Sequence, residues 1–391
     1  MDHVIEQLVL LERFVNDGSP TGLTWRNSSS LATCPRTAAR WYALPLVQVP
    51  TEMCERLGDI PDVFLDKNEI LFPVHPDVVH TLDVSLRRKL AFQKVLPILA
   101  MPTASPRTAL IEYRGWAGFL KLDYPFVLGR FPRPLAGPKL RHGIFVSRLL
   151  TNAAAELQGV NHFPEFACAE IQGAKDQRVG VLFRELLPTG PRYDSLYCVA
   201  SLFGHDSLAI EDSTPLVLGL AKQHGGVEWI ATRVLRPLLV SFWKLVIEYG
   251  LWPEPHAQNI LLGVNTDGTT GVVWRDCQGV WVDRELAPVL AGDEEYHIMP
   301  RGSADAPRRR SFLYDWMLGT YVLQPLIETS IAEYPDARNF LLETVREYTR
   351  GVLEVSGRGD LLPREKSFRM SLAAPGDQRL PLEESPSTLF R

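Results

Sequence analysis

The chain has 391 residues, 46% of them hydrophobic and 22% charged, and a net charge of −5. That is enough apolar material for more than one core. Acids and bases are interspersed, without the basic stripe a nucleic-acid binder needs, so nucleic acid is not an expected partner.

Residues 2–15 carry Val4, Ile5, Leu8, Leu11 and Phe14 at helical spacing. The opening "MDHVIEQLVLLERF" has no basic n-region or cleavage site, so no signal peptide is expected. Residues 16–36 are rich in Ser, Thr, Asn and Gly and read as loop. "EILFPVHPDVV" (69–79) reads as a buried strand ending in a Pro-flanked turn. From 92 to 135, "KVLPILA", "RTALIEY" and "GFLKLDYPFVLG" read as strands separated by Pro or Gly turns. "PRPLAGPKLRHG" (132–143) reads as a loop leading into a helix at 144–158, and 168–186 as a hairpin. Residues 227–249 predict a long helix kinked at Pro237 and stopped by Gly250. Its apolar stretch holds Arg236, Pro237, Lys244 and Glu248, so it reads as a buried helix, not a membrane span. "RGSADAPRRRS" (301–311) reads as a charged loop before a second helical block at 312–357, and the end as a weakly ordered tail. Strands first and helices later predict an α+β protein, with an antiparallel sheet region followed by a mainly helical C-terminal half.

The cysteines are Cys34, Cys54, Cys168, Cys198 and Cys277, odd in number and without C-x-x-C spacing. A disulfide framework or zinc site is therefore not expected, and a reducing cytoplasm fits best. Cys277 reads as a small buried apolar residue rather than a reactive thiol. No dinucleotide fingerprint, P-loop, G-x-S-x-G or H-E-x-x-H occurs.

Chemistry concentrates in "WPEPHAQNILLGVNTDGTTGVVWRDCQGV" (252–280). "NILLGV" and "GVVWRD", joined by "NTDGTT", predict a hairpin. Pairing brings Asn259 and Asp276 to one end of the ribbon. With Glu254 they make an oxygen-rich corner suited to Mg²⁺. Strand alternation sends Arg275 and Asp276 to opposite faces. The five-residue step from Glu254 to Asn259, with an Asp after a hairpin, echoes the metal ligands of kinases. Structurally, the same residues could simply cap turns, with His256 as a satisfied core residue. A second constellation lies upstream: Ser105, Arg107, Thr108, Lys121, Arg130 and Arg133. Several cations beside hydroxyls suit a triphosphate or polycarboxylate; Arg130 reads as ordinary surface charge.

Together these motifs resemble the synthetases that make siderophores independently of nonribosomal peptide synthetases (NRPS), the aerobactin-synthetase type. The resemblance rests on Ser105-Pro106-Arg107-Thr108, Lys121 followed by Arg133, Glu254-x-His256-x-Gln258-Asn259 followed by Asp276, and Lys366 in "KSFRM". "PVHP" (73–76) is similar to the family's His-Pro turn, and the order holds over roughly 70–372. The resemblance implies a cupped hand. Residues 1–90 would form a shortened thumb-like region, 91–200 β-rich fingers, 201–372 a helical palm with the metal- and ATP-binding hairpin, and 373–391 a weakly ordered tail. It implies ATP and Mg²⁺, activation of a citrate-like or other small acid as an acyl-adenylate, and condensation with an amine or alcohol. Ser105, Arg107, Thr108 and Lys121 would hold the phosphates. Glu254, Asn259 and Asp276 would hold the metal and nucleotide. Arg133, His256 and Lys366 would face the acid, with Gln258 between the two sites. A cytoplasmic enzyme is implied, with no membrane partner, and a homodimer is a state the resemblance allows. The departures are a short N-terminal side, the missing earlier His-Pro-x-His segment, Pro106 inside the loop, and "HPDVV" where His-Pro-Trp-Gln is usual. The competing readings are a kinase-like phosphotransferase, which the spacing allows without a glycine-rich loop, and a non-catalytic relative that kept the fold.

Overall fold

The computed structural model describes residues 2–17, 40–79, 96–128, 131–172, 178–209, 213–287, 297–299, 305–363, 366–370, 382–385 and 389–391; at 96, 125–128, 131–133 and 305 only the backbone is described. Helix α1 (His3–Phe14) starts at Asp2, whose carboxylate accepts from the Val4 and Ile5 N–H groups at 3.0 and 3.3 Å, a side-chain N-cap.

Twelve strands follow in the first half: β1 (Tyr42–Pro50), β2 (Cys54–Leu57), β3 (Leu65–Asp66), β4 (Glu69–Pro73), β5 (Leu96–Pro102), β6 (Thr108–Tyr113), β7 (Trp116–Leu122), β8 (Tyr124–Leu128), β9 (Phe131–Arg133), β10 (Val160–His162), β11 (Glu165–Gln172) and β12 (Arg178–Glu185). Nine form one antiparallel sheet in the order β2-β11-β12-β7-β6-β5-β1-β4-β3. Strands from both sides of residue 90 thus share it. Alternation puts Ala109, Ile111, Leu120, Leu122, Val181 and Phe183 on one face, where they meet Leu44, Leu46, Phe64 and Phe72 in a single core. That core requires the sheet to curl over itself.

The opposite face is different in kind. Cross-strand register aligns Thr108 with Lys121, Lys121 with Leu182, and Arg184 with both Phe119 and Glu165. This face is buried yet charged, and it looks toward the second half. A helix crosses it over Pro138–Glu156, six residues earlier than the expected start at 144. Pro138 explains the early start: it sits in the first turn, where a missing N–H costs nothing.

The second half begins with β13 (Ser195–Cys198) and adds β14 (Leu251–Trp252), β15 (Ile260–Val264), β16 (Thr270–Trp274), β17 (Trp281–Asp283), β18 (Ile298–Met299), β19 (Ser367–Met370) and β20 (Leu382–Ser385). The expected hairpin is β15–β16, with Ile260 opposite Trp274, inside the four-stranded sheet β10-β16-β15-β13. Against it packs the expected long helix, which runs from Val227 with a wide π-type stretch at Ile230–Leu235 and continues as Arg236–Tyr249. Pro237 has no N–H for the Arg233 carbonyl; the Thr270 hydroxyl donates to that carbonyl instead. Gly250 ends the helix at φ 62°, a left-handed cap. Phe242, Trp243, Trp252, Trp274 and Tyr314 pack around it with ring centroids 5.1–6.4 Å apart.

Two expectations need correction. Residues 305–311, read as charged loop, are helical, because Arg310 is buried against Asp283 at 2.8 Å and Glu285 at 2.6 Å rather than solvated. The end of the chain is not uniformly loose. Leu382–Ser385 pairs with β19, Phe390 is buried, and the Arg391 guanidinium pairs with the Asp315 carboxylate. Among the described residues, no helix is long and apolar enough to cross a membrane.

Candidate active site

The β15–β16 hairpin delivers its two ends to one corner. The Arg275 N–H donates to the Asn259 carbonyl at 3.0 Å, closing the ribbon. Ahead of Asn259 the chain turns through hydrogen bonds from His256 N–H to Glu254 O (2.8 Å) and from Asn259 N–H to His256 O (2.7 Å). Through Glu254–Gln258 burial alternates. Pro255 and Ala257 are buried, while Glu254, His256 and Gln258 are half-buried. Asn259 Nδ2 donates back to the Glu254 carbonyl at 3.4 Å. His256 Nδ1 accepts from the Gln258 N–H at 3.3 Å, and its ring lies 6.3 Å from Tyr321. The Glu254 carboxylate lies over the turn after Asp276, so close that a Cβ on Gly279 would sit 2.6 Å from its Oε2.

Asp276 adopts φ 69°, ψ 68°, a left-handed conformation that Asp tolerates at a cost of roughly 1–3 kcal/mol. Arg275 and Asp276 diverge as expected, but the left-handed turn at Asp276, past the end of β16 at Trp274, sends them apart rather than strand alternation. Arg275 turns to Glu12 (2.5 Å) and to the Gln258 carbonyl (2.7 Å), while Asp276 meets Lys121 of the other half at 2.5 Å. Lys121 is 3% exposed and Asp276 28%. Burial alone would raise the Asp276 carboxyl, but the Lys121 ammonium, with Arg107 and Arg184 near, holds it well below the usual carboxylate range. Burial pulls the Lys121 ammonium down in turn, opposed by the Asp276 charge; the 2.5 Å contact favours the charged pair, with Asp276 as carboxylate. Beneath this contact Arg184 and Glu165 form a second buried pair at 2.6 Å.

The Ser105–Thr108 loop is tied at both ends. Thr103 N–H donates to Thr108 O (3.0 Å), and Thr108 N–H to Ser105 O (3.1 Å). Leu122 N–H donates to Arg107 O at 2.7 Å, which fixes the loop to Lys121's own strand. From "PVHP", His75 reaches the Pro106 carbonyl with Nε2 at 3.0 Å while its Nδ1 accepts from the Asp77 N–H at 3.2 Å. Only the neutral Nε2–H tautomer satisfies both, and burial pushes the ring pKa down. Downstream, burial raises the Asp123 carboxyl to about 7, against the hydrogen bond it accepts from Leu135 N–H at 2.6 Å.

Ser105, Arg107, Thr108, Lys121, Glu254, His256, Gln258, Asn259 and Asp276 thus fall on two segments joined by the Lys121–Asp276 contact. Arg133 lies opposite Tyr124 in the β8–β9 pair, and its side chain is outside the described residues. Lys366 is not drawn in: it is 56% exposed and paired with Glu384 at 3.0 Å. Cys277 is fully buried, and burial pushes its thiol well above the usual range, so it is a packing residue as expected. Glu12, Glu165 and Arg184 were not among the expected site residues. For Glu12 a signal existed: it shares the stripe of Ile5, Leu8 and Val9 on α1.

Residues 227–366 match the family described as ferric iron reductase FhuF-like transporter. No curated protein matches the chain in sequence. Solved structures do match in shape. The ATP-bound aerobactin synthetase IucA from a hypervirulent pathotype of Klebsiella pneumoniae superposes with a TM-score of 0.73 at 16% identity, over 99% of this chain and 79% of that one. Aerobactin synthetase IucC from the same pathotype gives 0.72 at 18%, over 100% and 77%. The petrobactin biosynthesis protein AsbB from Bacillus anthracis str. Sterne gives 0.77 at 13%, over 97% and 74%. The chain therefore has the fold of these proteins, an α+β architecture with a large curled antiparallel sheet and a helical C-terminal half. This is the fold that the motif resemblance implied.

Proposed function

We propose that the chain is an NRPS-independent siderophore synthetase: an ATP-dependent ligase that activates a small carboxylic acid and joins it to an amine or alcohol. The observation that carries this reading is the contact of Lys121 with Asp276. It joins a cation-and-hydroxyl loop to an oxygen-rich corner within a fold shared with aerobactin synthetases. Two anions must meet in such a reaction, and cations must offset their repulsion and the charge of the leaving group. Lys121, Arg107, Ser105 and Thr108 would take the phosphates. Gln258, Asn259 and Asp276 would line the nucleotide side. The donor set fits Mg²⁺: Asp276 is held ionised, and Glu254 and Asn259 add oxygens at the same corner. The ion would neutralise phosphate charge there.

In the reaction, a carboxylate oxygen of the acid attacks the α-phosphorus of ATP. The α–β anhydride bond breaks and pyrophosphate leaves. The nucleophile then attacks the acyl carbon, AMP departs, and the nucleophile's proton is lost to a base. His256 and Arg133 would face the acid; Lys366 would have to leave Glu384 to join them. The reductase and transporter description of the matched family is not the reading we adopt. Its stretch in this chain holds one cysteine, Cys277, and that thiol is buried and raised. The groups gathered there are carboxylate, amide and guanidinium, which suit phosphate chemistry.

The test is pyrophosphate release with ATP, Mg²⁺ and a panel of acids (citrate, succinate, 2-oxoglutarate, aspartate and glutamate), with and without diamines or amino alcohols. Release that depends on one acid is the expected result. ADP formation with an acceptor would replace this reading by a phosphotransferase. Failure to bind ATP with Mg²⁺ would leave a non-catalytic relative of the fold.

A further inference from the structure

Helix α1 lies in the seam between the two halves. Its Ile5, Leu8 and Val9 pack in one cluster with Met101, Leu110 and Phe119 of the large sheet and with Leu196, Leu261 and Val273 of the hairpin sheet. An apolar stripe would be enough to seal that seam. Instead the stripe carries Glu12, which is 1% exposed. A buried carboxylate is costly unless its oxygens are used; here one accepts a hydrogen bond and the other makes an ion pair. Oε1 accepts from the Ala104 N–H at 3.1 Å, in the residue before Ser105. Oε2 pairs with Arg275 Nη2 at 2.5 Å, in the residue before Asp276. Arg275 passes the link on, its Nε–H donating to the Gln258 carbonyl at 2.7 Å. The far end of the helix is held as well, since Asn16 Nδ2 donates to the Glu12 carbonyl at 2.6 Å.

We propose that Glu12 is a positioning residue, setting the spacing between the Ser105–Thr108 loop and the Gln258–Asp276 corner so that one nucleotide triphosphate is gripped from both sides. This rests on the functional reading above. Glu12 touches neither nucleotide nor acid; it acts through Ala104 and Arg275. Its substitution therefore weakens the grip on ATP and leaves the acid's own contacts alone.

The experiment measures ATP affinity in the presence of MgCl₂ by calorimetry, and KM and kcat for pyrophosphate release, on the full chain. The variants are Glu12→Gln, which keeps an acceptor for Ala104 but gives up the charge for Arg275, and Glu12→Asp, which keeps the charge but retreats by one methylene. Circular dichroism checks that each is folded, and whichever folds decides the outcome. We expect the ATP dissociation constant and the KM for ATP to rise about 10- to 100-fold, as misplaced binding groups typically cost, with the KM for the acid changed less than about twofold. A merely structural Glu12 would lower kcat through a smaller active fraction and leave both KM values alone, which overturns the proposal. Wild-type protein that binds no ATP would instead overturn the functional reading, and this inference with it.

Discussion

Replacing Lys121 by Met removes the ammonium from the Asp276 contact and keeps most of the stem's volume, so little cavity is left. Breaking a buried pair typically costs 3–5 kcal/mol because the remaining charge is stranded. Asp276 is less stranded than that: it is 28% exposed and keeps Arg107 and Arg184 as neighbours. We therefore expect about 1–3 kcal/mol, a fall in Tm of roughly 1–4 °C in a chain of this size. The pH dependence is sharper. The folded-state pKa of Asp276 is depressed, so its contribution is fully present above the unfolded value, about 3.9, and is lost as pH falls toward the folded one. The stability gap between wild type and Lys121→Met should be constant from pH 8 to 5, then shrink below about pH 4 at up to roughly 1.4 kcal/mol per unit. Scanning calorimetry at pH 7, 5, 4 and 3.5 reads this directly. A gap that is the same at pH 7 and 3.5 would refute the argument that Asp276 is held ionised by Lys121. In parallel, ATP affinity should fall about tenfold or more, the worth of a charged hydrogen bond.

Asp123 has the opposite sign. Burial raises it to about 7, so wild-type stability should decline as pH rises from about 4 through 7. Asp123→Asn, which can still accept from Leu135, should gain on wild type across that window; parallel Tm curves at pH 4.5 and 8 would rule this out. Gly279→Ala puts a methyl 2.6 Å from Glu254 Oε2. The carboxylate end can swing aside, so we expect a folded protein that needs several-fold more Mg²⁺ for half-maximal pyrophosphate release, and an unchanged Mg²⁺ titration would remove Glu254 from the metal corner. Lys366→Ala breaks only an exposed pair with Glu384, so stability should move by less than about 0.5 kcal/mol. A raised KM for the acid would mark it as a substrate residue, and an unchanged one as surface charge.

What could be read in advance was whatever local chemistry dictates. The "NTDGTT" turn between two apolar runs had one economical solution, the β15–β16 hairpin; Arg275 and Asp276 do point apart, though through the left-handed turn at Asp276 and not through strand alternation. Pro237 and Gly250 announced a disturbed helix and its end. Partners chosen by tertiary packing were not legible. "PRRRS" has the composition of a solvated loop, and only the buried carboxylate of Asp283 makes Arg310 a helix residue. Likewise the "STLFR" end looks loose until Tyr314 and Asp315 supply the contacts that hold Phe390 and Arg391. In the site, the motifs named Lys121 and Asp276, which the structure brings into contact. The motifs were silent on Glu165 and Arg184, which pair across the β11–β12 hairpin, and on Glu12, whose contacts exist only once α1 meets segments far along the chain.

The seam helix also has a consequence for how the molecule is made. Helix α1 leaves the ribosome before the segments it packs on, for its seat is built from Leu110, Phe119, Leu261 and Val273. Synthesis proceeds at roughly 5–20 residues per second, so Arg275 follows Glu12 only after tens of seconds at the slower rates. Through that interval an amphipathic segment with a carboxylate on its apolar stripe waits without the guanidinium that offsets it. The Gln258–Asp276 corner therefore assembles only after the strands of the large sheet have been made, and a nascent chain halted before Asp276 lacks the Lys121 contact.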